Sequence, residues 1–229
     1  MAIPSPAPKA VAVLAGPASK FPTLCSPPTP QIQNVQIKGP GLIQGFDNGM
    51  YLQAASNSQV NNVVLMLNSF GIVTNFGNDQ FKGNVAAQNT TSGFDLRDSN
   101  DQVQLNAVTA NGVIENNMVG LVGIGIEIEG NGNVVFNNSA DGNLNTGIYI
   151  ASGNNNQIHD NTAFGNTSYG IAIQGAGGGG NNIHANTALG NGNPSVPFFT
   201  GDLADGNPSC GSNTWSNDTF FTALRPCDD

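Results

Sequence analysis

Between Gly125 and Ile173 the chain repeats one pattern three times: Gly125-Ile126-Glu127-Ile128, Gly147-Ile148-Tyr149-Ile150 and Gly170-Ile171-Ala172-Ile173. A glycine is followed by alternating apolar and variable residues, the period of a β-strand. The unit recurs upstream as Gly49-Met50-Tyr51-Leu52, Gly71-Ile72-Val73-Thr74 and Gly93-Phe94-Asp95-Leu96, so the glycines are spaced by 22, 22, 32, 22 and 23 residues. A second marker, an apolar residue three positions before an asparagine, falls at Phe81/Asn84, Val103/Asn106, Val135/Asn138, Ile158/Asn161 and Ile183/Asn186, with asparagine spacings of 22, 32, 23 and 25. Both markers slip by the same ten residues, so one repeat carries an insertion.

A repeat of this length, with two or three strands per turn and Asn or Gly at the corners, predicts an all-β, right-handed parallel β-helix of about 22 residues per coil and 7–8 coils. Successive coils stack at the inter-strand spacing of ~4.8 Å. Asn and Gly tolerate left-handed corners, and stacked Asn side chains hydrogen-bond from coil to coil. The alternation sends Ile126, Ile128, Ile148, Ile150, Ile171 and Ile173 inward as aliphatic ladders. Leucine-rich repeats share the period but require an L-x-x-L-x-L frame, which is absent.

The composition agrees. The 229 residues include 30 Gly and 34 Asn, and only 9% are charged, against a usual ~25%. Helical folds are disfavoured because Asn and Gly are poor helix formers. Disorder is disfavoured by the 38% hydrophobic content in evenly spaced runs. No apolar run approaches the ~18 residues of a membrane span. Six Lys/Arg against 15 Asp/Glu give a net charge of −9, which repels nucleic acid and, unless Ca²⁺ bridges the carboxylates, polyuronates. Three Cys and two His show no metal-ligand spacing, and the glycine run 175–180 lacks the Lys-Ser/Thr of a phosphate loop. No cofactor and no metal are expected.

Eight of the 13 prolines precede residue 31, so residues 1–30 read as an extended Pro/Ala-rich lead-in and 31–229 as a single domain. Lys9 followed by the apolar run 10–15 is a weak secretory signal. The expected compartment is the cytoplasm, or outside the cell after a signal has been removed. A monomer is expected.

From residue 34 to 227 the chain resembles the right-handed parallel β-helix repeat proteins of the pectate-lyase-like superfamily. The likeness is sharpest at Asp202-Leu203-Ala204-Asp205, Cys210, Asn213-Thr214-Trp215, Phe220 and Cys227, which look like the C-terminal cap (202–229) of many bacterial members. The superfamily includes lyases, hydrolases, epimerases and adhesins, so the resemblance implies a fold and no single reaction. The Asp-Pro-His-Asp signature of mannuronan epimerases and the Lys/Arg clusters of polygalacturonate lyases are absent. Cys210 and Cys227 enclose a short loop and are expected to form a disulfide contributing ~3 kcal/mol.

Stacking the repeats lines up two outward columns. One is Tyr51, Val73, Asp95, Glu127, Tyr149 and Ala172; the other is Gln53, Asn75, Arg97, Glu129, Ala151 and Gln174. Both columns are expected to face solvent. Asp95 and Glu127 fall side by side, at ~5 Å by strand spacing, as do Arg97 and Glu129. Carboxylates that close hold their protons unequally, which suits general acid and base roles. Arg97 is expected to pair with Glu129. These charges also allow a plainer reading, as the wetted surface of a sheet.

Two insertions flank this face. Ten residues are added within 112–124 and six within 193–200, the second ending on Gly201 as the next repeat glycine. Both leave the same corner, three coils or ~14 Å apart. They carry Met118, Leu121, Val122, Val196, Phe198 and Phe199, apolar walls for a small-molecule pocket with Glu129, Ala172, Gln174 and Tyr51 as further contacts. Alternatively, they fold down as plugs. His159 and His184 stack on another strand, and Trp215 caps the open end of the core. Three functions are compatible: a cyclase or isomerase for a partly apolar small molecule, with Glu127, Tyr149, Asp95 and Arg97 catalytic; a carbohydrate lyase, hydrolase or epimerase using Asp95 and Glu127; and a non-catalytic binding or surface module.

Overall fold

The computed structural model of the chain describes residues 32–53, 55–112, 123–174, 178–193 and 200–224. The lead-in 1–30, Met118, Leu121, Val122, Val196, Phe198, Phe199 and Cys227 lie outside them. Every strand pairing is parallel, and each coil contributes three short strands, giving a β-helix of about seven turns.

The first face is an eight-stranded sheet whose strands stack as Asn48–Leu52, Phe70–Thr74, Ser92–Leu96, Ile124–Ile128, Ile148–Ile150, Tyr169–Ile173, Gly201–Asp205 and Ala223–Leu224. The second face holds Gln80–Lys82, Gln102–Gln104, Val134–Phe136, Gln157–His159, Asn182–His184 and Thr214–Ser216. The third holds Val85–Ala87, Ala107–Thr109, Ser139–Asp141, Thr162–Phe164 and Thr187–Leu189. The longer strand Gln59–Met66 joins the second and third faces at the N-terminal end. Inside, the six expected isoleucines are buried with Phe81, Phe94, Val103, Val135 and Leu203 in one continuous core.

The corners follow one rule. A residue of positive φ is followed by a buried or half-buried Asn or Asp whose side chain joins its own coil to the coil before it; Asp202, the last rung at the third-to-first corner, instead lies in a strand. At the second-to-third corner these are Asn84, Asn106, Asn138, Asn161, Asn186 and Asp218. At the third-to-first corner they are Asn68, Asn89, Asn111, Asn143, Asn166, Asn191 and Asp202. The first rungs, Asn84 and Asn68, accept Val63 N and Phe46 N; each later Oδ1 accepts the backbone N–H and the side-chain amide of the preceding rung, as Asn138 Oδ1 does at 3.0 Å from both Asn106 N and Asn106 Nδ2. The amide Nδ2 also donates to a backbone carbonyl, as Asn138 does to Val103 at 2.8 Å. The left-handed position needs neither Gly nor Asn, since Leu105 (φ 55°), Asp160 (φ 54°) and Ala185 (φ 56°) also hold it. The sequence reading gave left-handed corners to Asn and Gly and coil-to-coil hydrogen bonds to Asn, and both are found: Asn137 and Asn155 hold positive φ, and the rungs above hydrogen-bond along the stack. The repeat glycines answer to space: a Cβ on Gly125 would sit 2.4 Å from the carbonyl oxygen of Gly147.

The second insertion is one residue longer than the spacing suggests. Gly201 pairs with Tyr169, so the slot of Gly170 is taken by Asp202, not Gly201. Asp202 ends the third-to-first ladder, its Oδ1 accepting Asn191 N and Nδ2 at 3.0 Å. At the open end of the core, Trp215 donates from Nε1 to Asp205 Oδ2 at 3.0 Å, and Cys210 is disulfide-bonded.

Replacing Asn138 by Ala would take their Asn138 partner from Asn106 N and the Val103 carbonyl and leave Asn106 Nδ2 with only its bond to the Phe81 carbonyl, each group left unpaired costing ~1–3 kcal/mol. The predicted loss is about 3 kcal/mol or more in urea unfolding, with Asn137→Ala on the adjacent exposed position costing far less.

Candidate functional site

The first face carries the expected columns in the expected register. Tyr51, Val73, Asp95, Glu127, Tyr149 and Ala172 are successive strand partners, and Ala204 and Leu224 extend the line. The column points away from the aliphatic core, yet it is not wetted as the alternation suggests. Val73 and Asp95 are only 1% and 2% exposed, and Tyr149 only 9%. Ile124, Tyr149, Ala172 and Ala204 form a second, smaller apolar cluster with Ala151 and Tyr169 against it.

Arg97 does not pair with Glu129. It folds back along its own strand onto Asp95, with Nε and Nη2 donating to Oδ2 at 2.9 and 2.6 Å. Two residues apart on one strand, Asp95 and Arg97 lie on the same side of the sheet, and a buried carboxylate draws the guanidinium more strongly than exposed Glu129 does. The guanidinium carbon also lies 5.7 Å from the centroid of the Phe70 ring. Asp95 Oδ1 is left buried without a hydrogen-bond partner.

Glu127 sits one coil on. Ser92 Oγ donates to its Oε2 at 3.2 Å. Burial, then the negative charges of Asp95 and Glu129, push its carboxyl from the usual 4.5 up to about 7; the Ser92 bond and Arg97 pull weakly the other way. Burial is thus the first cause of the shift at Glu127, and the adjacent carboxylate the second. Further along, Tyr149 donates its hydroxyl proton to Gln174 Oε1 at 2.9 Å, and burial followed by the Glu127 charge raises its phenol. Tyr149, Ala172 and Gln174, with Tyr169, Ile173, Ala204, Asp205, Gly206 and Leu224, line an open cleft of about 360 Å³.

The face thus brings together Asp95, Arg97, Glu127, Tyr149, Gln174 and Ala172. Glu129 stands exposed beside them, and Tyr51 lies two coils before Asp95, where its hydroxyl accepts from Asn75 Nδ2 at 2.5 Å. Both insertions open from the third-to-first corner, after the ladder residues Asn111 and Asn191, and re-enter at the strands Ile124–Ile128 and Gly201–Asp205. The strands bearing Tyr149 and Gln174 lie between those two. Sequence reasoning missed Ser92, Phe70, Tyr169, Ala204 and Leu224. Ser92 precedes a repeat glycine and was legible as a neighbour of the Glu127 coil, whereas Leu224 joins the face only through the return of the cap.

His159 and His184 stack as expected, with ring centroids 4.9 Å apart on the second face, and Phe136 stacks on His159 at 5.2 Å.

Fold and face together define a right-handed parallel β-helix protein with an acidic and aromatic patch on one sheet. The chain belongs to the β-helix families: the model described as "Periplasmic copper-binding protein (NosD)" matches residues 30–162, and the model described as "Right handed beta helix region" matches 106–220. Among solved structures it is similar to the A-module of the Azotobacter vinelandii mannuronan C-5 epimerase AlgE4, with a TM-score of 0.57 and 17% identity over 85% of this chain. That similarity spans 55% of the epimerase module, and at this identity it bears on the fold alone. No curated protein matches the chain.

Glu127 makes folding depend on pH. A folded pKa above the unfolded one adds stability that is complete below about 4.5 and is lost as pH rises through about 7. Glu127→Gln cannot ionise, so its urea stability relative to the parent should improve between pH 5 and pH 8. Allowing for solvent screening, the predicted gain is roughly 1–2 kcal/mol. A constant difference across that range would remove the pKa assignment.

Proposed function

We propose that the chain is a carbohydrate-active enzyme that works by proton transfer, with Glu127 as the group that carries the proton. The observation that carries this reading is a carboxyl poised at about 7 on an outward sheet face, between the Asp95–Arg97 pair and the Tyr149–Gln174 pair. A group with that pKa is divided between acid and base at neutral pH, so it serves in either direction. Asp95 supplies negative charge beside it, and Arg97 holds Asp95 in place. Tyr149 presents a hydroxyl and a flat ring, the combination that receives the apolar face and edge hydroxyls of a sugar. The epimerase of similar fold is compatible with a glycan substrate and carries no argument for the reaction.

Charge narrows the substrate. Arg97 is the one cation in the two columns and is already committed to Asp95, while Glu127 and Glu129 stand close by. A neutral or weakly charged glycan fits this surface better than a polyuronate. The test is turnover of a panel of neutral and uronic oligosaccharides by the parent, Glu127→Gln and Tyr149→Phe. General acid–base catalysis contributes typically 10²–10⁴-fold, so Glu127→Gln should lose about a hundredfold or more in kcat. The parent's pH–rate profile should bend near 7. Full activity in Glu127→Gln would overturn the proposal.

A second reading rests on the cleft beside Tyr149, whose walls are mostly apolar: Tyr169, Ala172, Ile173, Ala204 and Leu224. Its size falls within the range of small-molecule pockets, which favours a cyclase or isomerase of a partly apolar compound. A ligand-soaked structure separates the two, because a glycan would run across the strands along the column whereas a compact ligand would sit inside the cleft.

The copper named in the NosD description is not matched by the described residues. Copper sites use imidazole, thiolate and thioether donors. His159 and His184 have ring planes only 17° apart, so their nitrogens lie side by side instead of converging, and His159 Nδ1 is bonded to Asp160 at 2.8 Å. His184 Nδ1 is buried without a partner, Cys210 is oxidised and Met50 belongs to the core. No copper step is therefore part of the proposed chemistry.

A further inference from the structure

The first-to-second corner has its own ladder: Asp79, Asp101, Asn133, Asn156, Asn181 and Asn213, each accepting the backbone N–H of the preceding rung. Its first two rungs are Asp where the later ones are Asn. That exchange changes the chemistry of the rung. An Asn rung offers two N–H donors, which reach the next Oδ1 and a backbone carbonyl; Asn156 Nδ2 donates to Asn181 Oδ1, and Asn133 Nδ2 to the Asp98 carbonyl. An ionised Asp rung offers only oxygens. At the end of a ladder this is harmless, as at Asp202 and Asp218, which have no rung beyond them to feed. Inside a ladder it sets acceptor against acceptor.

The consequence is visible at Asp79. The residue is fully buried; its Oδ1 accepts Ser58 N at 2.6 Å, and its Oδ2 has no hydrogen-bond partner. Asp101 is also fully buried. Asp98, half-buried at the same corner, closes the group, and its Oδ2 too is unpartnered. One oxygen from each of Asp79, Asp98 and Asp101 lies within 4.8 Å of the others. Thr74 Oγ1 stands beside them, 2.6 Å from Asp98 Oδ1 and 3.2 Å from Asp101 Oδ2, and has a single proton for both. Among the described residues no Lys or Arg pairs with any of the three; the one Lys/Arg ion pair joins Arg97 to Asp95.

We propose that Asp79, Asp98 and Asp101, with the Thr74 hydroxyl, form a binding site for one Ca²⁺. Hard oxygen donors of this kind select Ca²⁺ or Mg²⁺ over softer metals. Ca²⁺–oxygen distances of about 2.3–2.6 Å let ligands on opposite sides of one ion stand nearly 5 Å apart, whereas Mg²⁺ would require about 4 Å. Oxygens no more than 4.8 Å apart are close enough to reach one such ion together. Three carboxylates around one divalent ion also relieve the crowding of charge that, with burial, raises Asp79 to about 7. Asp98 faces the surface and gives the ion its entry. The site joins the end of the strand Phe70–Thr74 to the turn after Ser92–Leu96, so the ion would brace the segment that carries Arg97. The sequence reading expected no metal because it sought Cys and His spacings within a segment; Asp79 joins Asp98 and Asp101 only across coils.

The test uses the whole chain at pH 7.5, stripped with EGTA, then titrated with CaCl₂ or MgCl₂ by calorimetry and followed by thermal unfolding. One Ca²⁺ should bind, and a hundredfold excess over Kd should raise Tm by about 5 °C or more. The double variant Asp79→Asn/Asp101→Asn restores amide rungs; it should fold, melt in EGTA above the stripped parent, and show no Ca²⁺-dependent shift. Asp98→Asn, on the surface side, should weaken binding at least tenfold while leaving the EGTA melting temperature close to the parent's. No Ca²⁺ binding by the parent would overturn the site, as would an undiminished Ca²⁺ shift in the double variant. An equal response to Mg²⁺ alone would overturn the assignment to Ca²⁺.

Discussion

A side-chain amide that accepts from one coil and donates onward along the stack is the interaction on which the rest of this structure depends. A β-helix corner breaks the strand pairing and would leave backbone N–H groups buried without partners, a cost of ~1–3 kcal/mol each. The rungs from Asn84 to Asp218, from Asn68 to Asp202 and from Asp79 to Asn213 fill that need with Asn and, at a few places, Asp. Each rung also sets the distance to the next coil. The close approach at the repeat glycines follows from it, since Gly71 and Gly125 face the next carbonyl with no space for a Cβ. The low charge of the chain has the same origin: a ladder of neutral amides and a core of stacked isoleucines do not use ion pairs.

Where charge does enter, it marks departures from the ladder rule. On the first face, Asp95 and Glu127 stand in a column otherwise made of Tyr, Val and Ala, and burial there turns an ordinary glutamate into a group that titrates near neutrality. At the first-to-second corner, Asp79 and Asp101 stand where the ladder calls for a donor. The two places are joined through the short stretch from Asp95 to Asp101, which runs from the face to the corner. A solenoid built from neutral repeats therefore carries its chemistry in the few repeats whose residues depart from the consensus.

Much of this was legible in the repeat. The period gave strand positions, inward isoleucines and the outward register, because side-chain alternation and parallel stacking leave no freedom once the coil length is known. The Asp95–Glu127 neighbourhood followed from that register alone. What was not legible depended on side-chain choice and on burial. Arg97 reached along its own strand to Asp95 and not across to Glu129, a competition between two carboxylates that differ in exposure. The outward column was read as wetted because alternation reports direction and not what lies above it. Asp79 and Asp101 carry no mark in the sequence, since their role appears only when they are set in one column with Asn133, Asn156 and Asn181.

Burial on the first face holds a proton on Glu127 near neutral pH. The chain has three glutamates, Glu115, Glu127 and Glu129. Labelling them with ¹³C at the side-chain carboxyl gives three resonances that can be followed by NMR from pH 3 to 9, with Glu127→Gln to assign the one of interest. The account predicts that the resonance lost in the variant titrates at about 7. A Glu127 carboxyl that titrates near the ordinary 4.5 would contradict it.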